Sequence, residues 1–119
     1  MKINRFVLND TQKFLLVEFI NSNSYQLPYE YLRVNSPNLK KVKGTKELVT
    51  HKKQVMLSAI ECVAKHGYRL IFDDSHSSIY SHDYFAQLAL EQEQRWQDYL
   101  TQLQHSGHSR EAMIDFKQI

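Results

Sequence analysis

Apolar positions in the first quarter of the chain come in short runs parted by polar ones. "RFVL" (5–8) and "FLLVEFI" (14–20) are rich in aromatic and β-branched residues, with the turn-like "NDTQK" (9–13) between them. This pattern predicts a β-hairpin. "NSNS" (21–24) follows as a second turn, since Asn and Ser side chains bond their own backbone. "YQLP" (25–28) predicts a third strand that Pro28 ends. Pro28 also suits the start of a helix, and "YEYLRV" (29–34) has room for one or two helical turns.

From Asn35 to Lys53 the periodicity dissolves into a loop with Pro37, Gly44 and many lysines, broken at most by a short element near Leu48–Thr50. Loops of this length are often functional. "QVMLSAIECVA" (54–64) alternates again, with Val55, Leu57, Ala59 and Val63 on one face and Met56, Ile60 and Cys62 on the other. This predicts a strand covered on both faces, with Cys62 a buried, inert thiol. "KHG" (65–67) turns the chain, "YRLIF" (68–72) returns antiparallel, "DDSHS" (73–77) turns it again and "SIY" (78–80) adds a short strand. Ser81 is a good N-cap, and Asp83 places a negative charge in the first helical turn. Phe85, Leu88, Ala89, Trp96, Tyr99, Leu100 and Leu103 then follow helical spacing, interrupted at Gln92. One helix over 82–104 would be ~34 Å long and would overhang a short-stranded sheet. Its aromatic and aliphatic positions Trp96, Tyr99 and Leu103 are therefore interface candidates.

These elements predict an α+β fold: small antiparallel hairpin sheets, one short helix and one long C-terminal helix. A single domain over 1–104 is followed by a C-terminal tail over 105–119. A chain of 119 residues with 42% apolar and 24% charged positions can build one core. The net charge of +2 is too small to call for nucleic acid or an anionic membrane. No apolar run reaches the ~20 residues of a membrane span, and the N-terminus lacks a secretory pattern. One cysteine, Cys62, excludes an internal disulfide, a four-cysteine zinc site and a CxxC pair, and fits a cytoplasmic location. Three glycines cannot form the glycine-rich phosphate loops or the strained nucleophile turn of familiar enzymes.

Candidate chemistry concentrates in "RLIFDDSHSSIYSHDYF" (69–85). One reading is a turn, a short strand and a capped helix. The other is a metal site, with His76 as a ligand helped by Asp73, Asp74 or His82, a mixture that suits zinc or iron. Adjacent Ser81, His82 and Asp83 point in different directions and form no triad. The lysines of the 40–53 loop lack the arginines and aromatic platforms of an RNA surface.

"LPYEYLRVNSP" and "FDDSHSSIYSHDYF" resemble the gamma-butyrobetaine hydroxylase-like N-terminal domain family. The matching positions are Leu27, Pro28, Glu30, Leu32, Arg33, Val34, Ser36 and Pro37, then Ile60, Glu61, Val63, Tyr68, Phe72, Asp73, Asp74 and His76, and finally Ile79, Tyr80, Ser81, Asp83 and Tyr84. The resemblance implies a domain that stands alone in many bacteria. It also implies one fused to the iron- and 2-oxoglutarate-dependent oxygenase of carnitine synthesis, or to P-loop ATPases linked with iron–sulfur assembly. In the oxygenase it is non-catalytic, holds a structural zinc through three cysteines and one histidine, and helps build a dimer. The histidine falls on His76 here. The cysteine positions fall near Ser36, Asn38 and Lys41, none of them a cysteine, so the loop calls for hydrogen bonds instead, such as Ser36 or Asn38 to His76. Ser75 and His82 stand where the family usually has glycine and tryptophan.

The sequence thus predicts a non-enzymatic accessory domain that binds a protein partner or itself through the C-terminal helix. No cofactor is expected. The alternative is a zinc- or iron-binding domain centred on His76, with Asp74 and His82.

Overall fold

The computed structural model describes residues 2–37, 41–42, 45–46, 52–107 and 110. The chain opens with a three-stranded antiparallel sheet, β1 (Ile3–Asn9), β2 (Phe14–Phe19) and β3 (Ser24–Pro28), in that spatial order. The alternation of "FLLVEF" makes β2 the central strand, with Leu15, Val17 and Phe19 buried. Phe6 lies opposite Val17, which in turn lies opposite Tyr25. Asn21 serves the second turn as expected, its carboxamide oxygen accepting from the Asn23 amide at 3.2 Å, and Asn9 does the same in the first turn, accepting from the Gln12 amide at 3.0 Å.

The helix α1 (Tyr29–Val34) begins just after Pro28, as predicted. Its first amide, on Tyr29, donates to the Lys13 carbonyl of the preceding hairpin at 2.8 Å. Six residues are too few for a self-supporting helix. Packing holds it instead, since Tyr29, Glu30, Tyr31, Leu32 and Arg33 are all buried. Two phenols anchor it further: Tyr31 donates to the Leu88 carbonyl at 2.7 Å, and Tyr80 donates to the Leu32 carbonyl at 2.5 Å.

Within the lysine-rich segment, the backbones of β4 (Lys41–Val42) and β5 (Thr45–Lys46) form a two-residue antiparallel ladder. The element predicted near 48–50 lies outside the described residues.

A second three-stranded antiparallel sheet follows, β6 (Leu57–Val63), β7 (Gly67–Phe72) and β8 (Ser77–Tyr80), with β7 central. Leu57 faces Phe72 but Ala59 faces Ile71, so β6 carries one extra residue at Ser58. Such a bulge breaks the simple alternation read from the sequence. Cys62, opposite Tyr68 near the end of the strand, is exposed rather than buried. Gly67 starts β7 at φ 126°, and a Cβ there would lie 2.3 Å from the Tyr80 carbonyl oxygen.

Ser81 caps α2 (His82–Leu90), accepting from the Tyr84 amide at 3.1 Å. The single helix predicted over 82–104 is two, because the backbone opens at Glu91 before α3 (Gln92–Ser106). Gln92, where the apolar stripe breaks, sends its side-chain amide to the Gln26 carbonyl at 3.1 Å. Gly107 ends α3 in a left-handed cap. Arg110 then turns back to the body, where its carbonyl accepts from the Lys53 amide at 2.8 Å.

Both sheets and the helices share one core. Phe6 of β1 meets Tyr68 of β7 and Phe85 of α2, with ring centroids 4.8 and 5.2 Å apart. Leu15, Val17, Leu27, Leu32, Leu70, Phe72, Tyr80 and Leu88 pack around them. No helix among the described residues is long and apolar enough to cross a membrane.

Candidate functional site

The β7–β8 turn brings the acidic and imidazole groups of "DDSH" to the end of α1. The left-handed backbone of Ser75, φ 68°, makes the turn possible. Asp74 accepts the His76 amide at 3.2 Å through one oxygen. Its other oxygen takes both Arg33 Nε and Lys52 Nζ, each at 2.8 Å. His76 then points its Nε2 at the Ser36 hydroxyl, 2.7 Å away, and at the Ser78 hydroxyl, 3.2 Å away. Ser36 and Ser78 also bond each other. Ser36 is 0% exposed and Ser78 2%.

The electrostatics follow from this packing. Burial pushes the Asp74 carboxyl up, but the bonds from Lys52 and Arg33 outweigh it and hold Asp74 at about 2. Burial holds His76 below its ordinary value, and the charges of Arg33 and Lys52 add to that against the opposing pull of Asp74. Arg33 is itself buried, and its Nη1 has no hydrogen-bond partner among the described residues.

His82 belongs to a different neighbourhood. Its ring packs edge-on against Tyr68 at 5.0 Å, and it lines a shallow depression with Lys2, Ile3, Ile20 and Asp83. Asn38 lies outside the described residues, and of Lys41 only the backbone is described. Among the described residues, no three His, Cys, Asp or Glu side chains are placed to share a metal ion.

The second feature is a groove of about 490 Å³ at the α2–α3 elbow, lined by Pro28, Tyr31, Ala89, Leu90 and Trp96 together with the polar Gln92, Glu93 and Gln97. Leu90 is 68% exposed, the largest exposure of any large apolar side chain in the described fold. Of the three interface candidates, only Trp96 lines this groove. Tyr99 and Leu103 are buried, so neither offers a free surface. Tyr99 sits against Trp96, with centroids 5.3 Å apart, and near Glu30 and Arg110.

The profile of the gamma-butyrobetaine hydroxylase-like N-terminal domain matches residues 6–86. The chain belongs to the gamma-butyrobetaine hydroxylase-like N-terminal domain family. Two proteins solved by NMR in solution share the whole fold. One is 36% identical with a TM-score of 0.80, covering 99% of this chain and 91% of its own. The other is 32% identical with a TM-score of 0.78, covering 99% and 96%. A crystal structure of a protein with unknown function from Acidithiobacillus ferrooxidans, 21% identical, shares the fold with a TM-score of 0.64 over 74% of this chain and 92% of that one. A comparison with curated proteins finds no match.

The structural zinc centre that the resemblance implies does not fit the residues present. Zinc favours thiolate and imidazole donors. At the positions the resemblance implies, the sequence has a serine hydroxyl at Ser36, an amide at Asn38 and an ammonium at Lys41, which leaves His76 as the one suitable ligand. Arg33 and Lys52 already place two positive charges on Asp74, the nearest carboxylate. The family pattern pointed to Ser36, Asp74 and His76. It gave no sign that Arg33, Lys52 and Ser78 join them, because those contacts span the fold. The exposed Leu90 left no signal, since it falls in the same apolar helix as its buried neighbours.

Proposed function

We propose that this domain is a non-catalytic accessory module that docks a protein partner, or a second copy of itself, through the groove at the α2–α3 elbow. The carrying observation is Leu90, 68% exposed beside a groove that Trp96 and Pro28 line on one side and Gln92, Glu93 and Gln97 complete. Exposed apolar side chains next to an aromatic-lined cleft mark interaction sites. A non-catalytic role accords with the complete burial of Ser36. A cytoplasmic setting accords with the single thiol of Cys62.

The test is association measured by light scattering on a sizing column and by affinity capture, for the wild type and Leu90→Glu. The wild type forms a defined complex that Leu90→Glu loses while keeping its circular dichroism. An inert monomer at high concentration, with no protein retained, overturns the reading.

A further inference from the structure

Ser36, His76 and Ser78 close a triangle of hydrogen bonds at the margin of the interior, with both serines buried and His76 half-buried. Ser36 follows α1, whereas His76 and Ser78 lie 40 and 42 positions further along the chain. Beside the triangle, Asp74 gathers Arg33 from α1 and Lys52 from the segment before β6. Three separate stretches of chain are thus fastened at one point, and each contact closes a long loop, which costs entropy that the bonds must offset.

We infer that this cluster is a metal-independent staple, joining α1 to the β7–β8 turn by shared protons in place of the zinc centre that the resemblance implies. Its own groups satisfy one another. With its proton on Nδ1, His76 accepts at Nε2 from one hydroxyl, and the other hydroxyl donates to the first. Neither serine then needs an outside partner, although both are buried. The Arg33–Asp74–Lys52 group supplies positive charge next to the triangle, which favours a neutral imidazole over a divalent cation. Buried polar networks of this kind are strongly coupled, so loss of one member weakens the rest.

The experiment uses the full chain purified without an affinity tag or chelator. Metal content is measured by mass spectrometry, and thermal unfolding is followed with added EDTA and with added zinc, for the wild type, Ser36→Ala, His76→Ala and the pair. The staple predicts well under one equivalent of metal and a Tm that neither addition shifts. Each single change lowers Tm by several degrees, at roughly 4–8 °C per kcal/mol for a domain of this class. The double variant falls by less than the sum of the singles. One equivalent of metal lost with His76, a Tm that drops on chelation, or strictly additive losses each overturn the inference. If His76→Ala does not fold, Ser78→Ala takes its place in the same cycle, where an unchanged Tm also overturns it.

Discussion

Arg110 holds Glu30 through two hydrogen bonds of 2.9 Å, across 80 positions of sequence. Glu30 is only 7% exposed and Arg110 37%, so the pair sits at the margin of the interior. Paired nitrogens on one carboxylate give a geometry that lysine cannot copy. Arg110→Ala leaves a buried carboxylate without this partner and is expected to cost about 2 kcal/mol, the partial exposure placing it below a fully buried pair. Arg110→Lys recovers only part of the loss. Urea unfolding of the three proteins checks this, and an Arg110→Ala midpoint equal to the wild type refutes it.

Acid weakens the fold in two stages. His76 lies below its ordinary 6.5, so the folded protein favours the neutral ring, and its contribution, present above 6.5, is lost as pH falls through the folded value. Asp74 lies at about 2, against an ordinary 3.8, so its contribution is present above about 3.8 and is lost as pH falls through about 2. Urea midpoints between pH 7 and pH 2 are expected to fall in both windows. His76→Gln removes the upper stage and leaves the lower.

Gly67→Ala is expected to be among the most damaging single changes. Its φ of 126° suits glycine alone, and the new methyl would meet the Tyr80 carbonyl oxygen at 2.3 Å and the Ser81 Cα at 2.8 Å. Strain and displacement together cost about 3 kcal/mol or more. A near-normal denaturation midpoint refutes this.

Ser75→Gly works in the opposite direction. Ser75 holds φ 68° in the β7–β8 turn, where an L side chain is strained by roughly 1–2 kcal/mol. Glycine removes the strain but gains freedom in the unfolded chain, so the net gain is about 0.5–1 kcal/mol. Stability measured by urea unfolding rises if this holds and falls if the Ser75 side chain stabilises the turn.

Cys62 is exposed on β6, so a thiol-specific reagent is expected to modify one equivalent in the native protein without denaturant. Labelling only after unfolding would show that this strand end is covered.

The hairpins were legible because "FLLVEF" and "YRLIF" alternate cleanly and "NSNS" carries its own turn chemistry. The exposure of Cys62 was not legible because it lies near the far end of β6, an edge strand of its sheet, and no local pattern records which strand is at the edge. The helix break was half legible: the apolar stripe fails at Gln92, but only the Gln26 carbonyl explains why. Within the candidate site, the family pattern led to His76 and Ser36. Arg33 reads as an ordinary basic residue near a helix end, and its pairing with Asp74, 41 positions away, belongs to tertiary structure.

Trp96 is the only tryptophan in the chain. The Arg110 guanidinium lies 5.1 Å from its ring, Tyr31 and Tyr99 flank it, and its edge lines the elbow groove. The molecule therefore carries a built-in optical reporter. Release of Arg110 or arrival of a partner changes the surroundings of this one indole, so emission wavelength and quenching follow both events without an attached dye.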